Sequence, residues 1–85
     1  MNLYIVYLGG SMLSSRMGED HEVMAVVAAD VPAACKAAKA KWQGLGDPHV
    51  DAVRHLDVIG GYQVTLVRAP ADQRDVVPLD PTWVP

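Results

Sequence analysis

Cysteine occurs once in this chain of 85 residues, at position 35. A single thiol excludes an intramolecular disulfide and a zinc cluster built from cysteines. A domain of this length buries only about 60–65% of its unfolded surface, so its core is marginal without support. With disulfides and a cysteine–metal centre excluded, oligomerisation is the support that remains. Cys35 falls among alanines in a helical stretch and reads as a small apolar packing residue. Positive charge is scarce as well: seven Lys and Arg against ten Asp and Glu give a net charge of −3. That balance suits a soluble protein and argues against a nucleic-acid binder driven by phosphate neutralisation. Long apolar runs are missing, and none approaches the ~20 residues that a membrane span requires. No charged segment precedes the first apolar run, as a signal peptide would demand. The expected setting is cytoplasmic, away from membranes.

Chemical motifs are equally sparse. Gly9-Gly10 follows an apolar run, but neither G-x-G-x-x-G nor P-loop spacing is present. There is no G-x-S-x-G elbow and no H-E-x-x-H. Tyr4, Tyr7 and Tyr62 lack the basic neighbours of a base-stacking platform and read as packing residues. Neither a cofactor nor a particular small-molecule ligand is implied.

What the chain does possess is apolar strand. Residues 3–8 (Leu-Tyr-Ile-Val-Tyr-Leu) and 23–29 are apolar at both parities, the pattern of strands buried on two faces. Between them, residues 11–20 form a polar connection in which Met12, Leu13 and Met17 could make one helical turn. After the second strand comes the one clear helix. Asp30 is a plausible N-cap and Pro32 suits the first turn. Val31, Ala34, Cys35, Ala38 and Trp42 recur along one helical face. Gly44 is the expected stop, and Lys36, Lys39 and Lys41 occupy the solvated side.

From Pro48 the period becomes two. Val50, Ala52, Leu56 and Val58 share one parity, while His49, Asp51, His55 and Asp57 share the other. Arg54 and Val53 interrupt the two stripes. Gly60-Gly61 then marks a hairpin into residues 62–68. A two-residue loop would set each strand's apolar side against the other's polar side. The hydrophobic pattern therefore favours a three-residue bulged turn that pairs Val58 with Tyr62 and Leu56 with Val64. The tail, residues 69–85, is rich in proline yet carries Val76, Val77, Leu79, Trp83 and Val84, an unusual content for a disordered end.

These elements predict an α+β domain over residues 1–68: a four-stranded sheet in ββαββ order with one helix packed on one face. Residues 69–85 pack on the domain or on a partner. Two strand orders are open. The second and third strands can be parallel neighbours, or the crossover can leap the first strand and leave the sheet wholly antiparallel.

One cluster could carry chemistry. His21, between Asp20 and Glu22, opens the second strand, and His49 and Asp51 open the third on one face. A histidine steered by a carboxylate is a part of metal sites and of acid–base machinery. Solvated polar residues at strand entrances are the ordinary alternative.

Several short motifs, in order, are similar to a family of small bacterial proteins. They are Y-L-G-G at residues 7–10, Asp20-His21 leading to Val27-Ala28, K-W-x-G at 41–44, H-V-D at 49–51, L-D-V at 56–58 and G-Y-x-V at 61–64. Over residues 1–68 the chain resembles the domain of unknown function family 1543. The resemblance implies a compact α+β domain and brings no activity or functional residues. Members often carry arginine directly after the Gly-Gly pair, where this chain has Ser11; its nearest arginine is Arg16.

One helix covers one face of a sheet, so a second cover is needed. The expectation is a non-enzymatic binding or assembly module acting as a homodimer, with His21, His49, Asp51 and Arg16 as a possible ligand or partner site. The alternative is a small enzyme or metal-dependent protein using His21, His49 and Asp51. Docking of an acidic partner on the lysine-bearing helix face is a third reading.

Overall fold

The computed structural model describes residues 1–11 and 20–75. Strand β1 (Asn2–Ser11) is followed by β2 (Asp20–Ala28), helix α1 (Val31–Ala40) and β3 (Leu45–His55). Two short strands, β4 (Val58–Ile59) and β5 (Tyr62–Gln63), complete the described elements. The connection around Met12, Leu13 and Met17 and the tail side chains Val76, Val77, Leu79, Trp83 and Val84 lie outside the described residues.

The apolar run at residues 3–8 becomes the centre of a three-stranded antiparallel sheet in the order β2-β1-β3. The crossover through α1 leaps β1, which decides between the two strand orders in favour of the wholly antiparallel sheet. Alternation along β1 sends Tyr4, Val6 and Leu8 beneath the helix. There they meet Met24, Val26 and Ala28 of β2 and Ala34 and Ala38 of α1 in one buried core. Leu3, Ile5 and Tyr7 point to the opposite face.

The helix begins as its punctuation predicts. The Asp30 carboxylate accepts a hydrogen bond from the Ala33 N–H at 2.9 Å, and Pro32 occupies the first turn. The last turn tightens, with the Lys41 N–H donating to the Ala38 carbonyl and the Trp42 N–H to that of Lys39. The helix therefore stops at Ala40, ahead of Gly44, and Trp42 is released from the helical face. Its ring lies on the backbone of Gly10, where a Cβ would sit 2.8 Å from Cζ2 of the indole. Only glycine permits that approach.

The expected four-stranded sheet is corrected in one respect: residues 58–63 form a separate two-stranded sheet. Of the segment 62–68 anticipated as a fourth strand, only Tyr62 and Gln63 pair. The turn is corrected too. Val58 pairs with Gln63 and Ile59 with Tyr62 across a two-residue loop, in which Gly60 and Gly61 have φ of 59° and 84°. Two positive φ values are what a type I′ turn requires, and its twist matches that of the strands. The bulged register would align apolar sides for burial. Both strands are exposed here, so burial exerts no selection and the turn glycines set the register.

β3 contains a bulge. Tyr7 pairs with Ala52 and Leu8 with Val50, which leaves Asp51 without a cross-strand partner. This is the physical origin of the interrupted stripes in the sequence. Past the bulge parity inverts, so Val53 joins Val50 against the core while Arg54 turns to the second face. His55, expected to continue the His49–Asp51 face, is carried to the opposite one, where its ring lies 5.2 Å from that of Tyr4. A further irregularity lies between the pairs Gly9–His49 and Ser11–Leu45. It accommodates Pro48, which has no N–H to offer the ladder of this edge strand.

Ala34 and Ala38 are fully buried, so the helix approaches the sheet at alanine distance. Enlarging that contact in Ala38→Leu should overpack the interface and destabilise the domain by about 1–3 kcal/mol. Urea unfolding followed by circular dichroism measures the loss.

Candidate functional site

Three of the residues singled out in the sequence meet on the second face. Strand register places His21, Gly9 and His49 on one rung, with Gly9 of the central strand between the two histidines. Gly9 carries no side chain, and the unpaired Asp51 of the bulge lies two residues along β3 from His49. The His49 Nε2 is 2.9 Å from Asp51 Oδ1, and the His21 Nε2 is 3.4 Å from Oδ2 of the same carboxylate. Asp51 thus links the two edge strands across the central one. Tyr7, two residues from Gly9 on the same face, stacks on the His21 ring with centroids 5.0 Å apart and planes inclined by 22°.

The electrostatics are those of a surface cluster. The side chains of His21, His49 and Asp51 are 38%, 57% and 32% exposed. Ion pairs at such exposure contribute about 0–1 kcal/mol, because water and salt screen them. Chemically, a carboxylate beside an imidazole can orient the ring and stabilise its protonated form. Each imidazole here engages a different oxygen of one carboxylate. Among the described residues, no three histidine, cysteine, aspartate or glutamate side chains are arranged to hold a metal ion. Arg16, the fourth residue of the expected site, lies outside the described residues.

Strand alternation divides the other polar residues around this rung. Glu22 turns to the helix side, and its Oε1 is buried without a hydrogen bond from the described residues. Cys35 is half-buried and free, in keeping with a packing role. The stacking of Tyr7 on His21 was not foreseen from sequence. The signal that could have revealed it is the two-residue offset between Tyr7 and Gly9, once Gly9 is placed opposite His21.

Two cavities lie near the far end of the sheet. One, of about 370 Å³, is lined by Ala25, Val26, Val27, Lys41 and Asp75. The other, of about 510 Å³, involves Met1, Val27, Leu66, Val67 and Arg68. Part of the expected tail, up to Asp75, therefore runs beside the end of β2. No described helix is long and apolar enough to cross a membrane.

Residues 16–66 match the family model described as Domain of Unknown Function (DUF1543). The chain belongs to this family. The DUF1543 match covers β2, α1, β3 and the β4–β5 hairpin, and so includes His21, His49 and Asp51. It begins after β1, so Y-L-G-G at residues 7–10 lies outside it. No curated protein and no solved structure matches the chain.

Because the cluster is exposed, Asp51→Asn should destabilise the domain by less than about 1 kcal/mol. In urea titrations, that difference should shrink further when salt is raised to 1 M. A loss of several kcal/mol would mean that Asp51 holds the sheet together rather than decorating it.

Proposed function

We propose that this DUF1543 protein is a non-enzymatic assembly module that acts as a homodimer, a second copy closing the face of the sheet that α1 leaves open. The observation that carries this reading is the apolar content of that face. Leu3, Ile5 and Tyr7 of β1 and Val23, Ala25 and Val27 of β2 lie on it. Tyr7, Val23 and Val27 remain 37%, 41% and 48% exposed. A contiguous apolar surface on a small domain is a mark of an interaction site, and closing it adds the core that a chain of this size lacks. The bacterial and cytoplasmic setting belongs to the same reading, resting on the family resemblance, the lone cysteine and the modest negative charge. The domain would end near residue 68, with residues 69–85 available to the domain or to its partner.

Sedimentation equilibrium of the full chain between 1 and 100 μM provides the test. The expected result is twice the monomer mass at the upper concentrations, with dissociation on dilution. A monomer throughout that range would overturn the proposal.

The convergence of His21 and His49 on Asp51 supports a second reading, a small ligand-binding or catalytic site on the exposed rung; its metal-dependent form would need these side chains to rearrange. Metal analysis of the purified protein and titration of wild type and His49→Ala with Zn²⁺ would separate it from the first. Saturable uptake lost in the variant favours a site. Indifference of both proteins to the metal removes the metal-dependent form of this reading.

A further inference from the structure

The same chain exposes a second apolar feature, the β4–β5 hairpin. The β4–β5 hairpin has a defined shape: its turn is fixed by Gly60 and Gly61, and its base by Asp57. The Asp57 carbonyl accepts the Val64 N–H at 2.8 Å, and its carboxylate accepts the Val58 N–H at 2.9 Å. Yet β4 and β5 contact each other and no other described strand or helix. Val58, Ile59 and Tyr62 are 62%, 52% and 79% exposed. An isolated two-stranded hairpin is marginally stable in water, and three apolar side chains around its tip add to the apolar surface left in water. It leaves the domain after β3, beside the end of β1 at which the Leu56 N–H bonds the Leu3 carbonyl. The receiving surface lies toward that end too, where Val27 of the open face borders the cavity walled by Met1, Leu66 and Val67.

We infer that the hairpin of one copy is a dimerisation arm that seats on the open sheet face of a second copy, over Val23 and Val27, with the exchange reciprocal. This deepens the homodimer reading and rests on it. The arm adds apolar area to the pair. The exposed fractions of Tyr7, Val23 and Val27 amount to roughly 250 Å², where a stable interface buries ~800 Å² of apolar and polar surface per partner. Val58, Ile59 and Tyr62 raise the apolar area to roughly 600 Å² per protomer. A reciprocal exchange about a twofold axis uses both surfaces of both copies and closes, leaving no open end for further growth. In the single chain β4 and β5 make no contact with β1 or β2, and Val27, though bordered by Met1, Leu66 and Val67 of its own chain, is still 48% exposed.

The test uses the full chain in three forms: wild type, an arm variant (Ile59→Asp with Tyr62→Asp) and a face variant (Val23→Asp with Val27→Asp). Sedimentation should give a dimer for wild type, and dissociation constants raised at least 30-fold for each variant alone. The arm variant should keep the wild-type urea midpoint of the monomer, because β4 and β5 pack on no other described strand or helix. An equimolar mixture of the two variants should form heterodimer, since one arm and one face remain intact and complementary. A covalent check avoids dependence on the face variant folding. In a Cys35→Ser background, Tyr62→Cys and Val27→Cys proteins should form a mixed disulfide dimer faster than either forms one alone. If wild type is a monomer, both the dimer and the arm are overturned. If wild type is a dimer and the arm variant dimerises equally well, the arm is overturned while the dimer stands. If both variants dissociate but neither mixing nor crosslinking pairs them, the reciprocal seating of arm on face is overturned.

Discussion

A ten-residue helix whose buried contacts are alanines can approach a sheet closely, but it can shelter only one side of it. That constraint organises the molecule. Tyr4, Val6 and Leu8 of the central strand, with Met24, Val26 and Ala28 beside them, take the shelter and form the core. The residues between them on the same strands are also apolar and receive no helix. Strand alternation makes the two sets inseparable, because every side chain placed under the helix sends its neighbours to the far face. An apolar second face is therefore fixed as soon as β1 and β2 adopt their register.

The second organising feature is the bulge at Asp51. Without it, a regular β3 would keep His55 on the face of His49 and would present Asp51 as one more residue of a ladder. With it, parity inverts, Val53 reaches the core and Asp51 is freed to face both histidines. Gly9 on the central strand completes the arrangement by presenting no side chain between His21 and His49. The rung is exposed and its interactions are individually weak, so it contributes little to stability. It marks the end of the open face remote from the hairpin, and the two features flank the apolar surface between them.

Much of this was legible in residue order. Asp30 and Pro32 announced the helix start because capping and the missing proline N–H act within one turn. The double-parity runs announced strands with two apolar faces. His21, His49 and Asp51 were nominated by type and spacing, and the strand register brings them together. The helix ends a few residues ahead of Gly44, and Trp42, beyond its end, lies against Gly10 of a distant segment, a contact that local sequence does not specify. The hairpin register departs from the hydrophobic pattern because its strands stand in solvent, leaving the two glycines to decide.

Local propensity and alternation, written into the chain itself, determined that there would be one capped helix, apolar strands and a glycine turn, since each depends on neighbours within a few residues. The strand order, the detachment of β4 and β5 from the main sheet, and the meeting of His21 with Asp51 were decided only in three dimensions. Each of these depends on which distant segments share hydrogen bonds, and a single unpaired residue at position 51 is enough to reverse which face every later side chain of β3 meets.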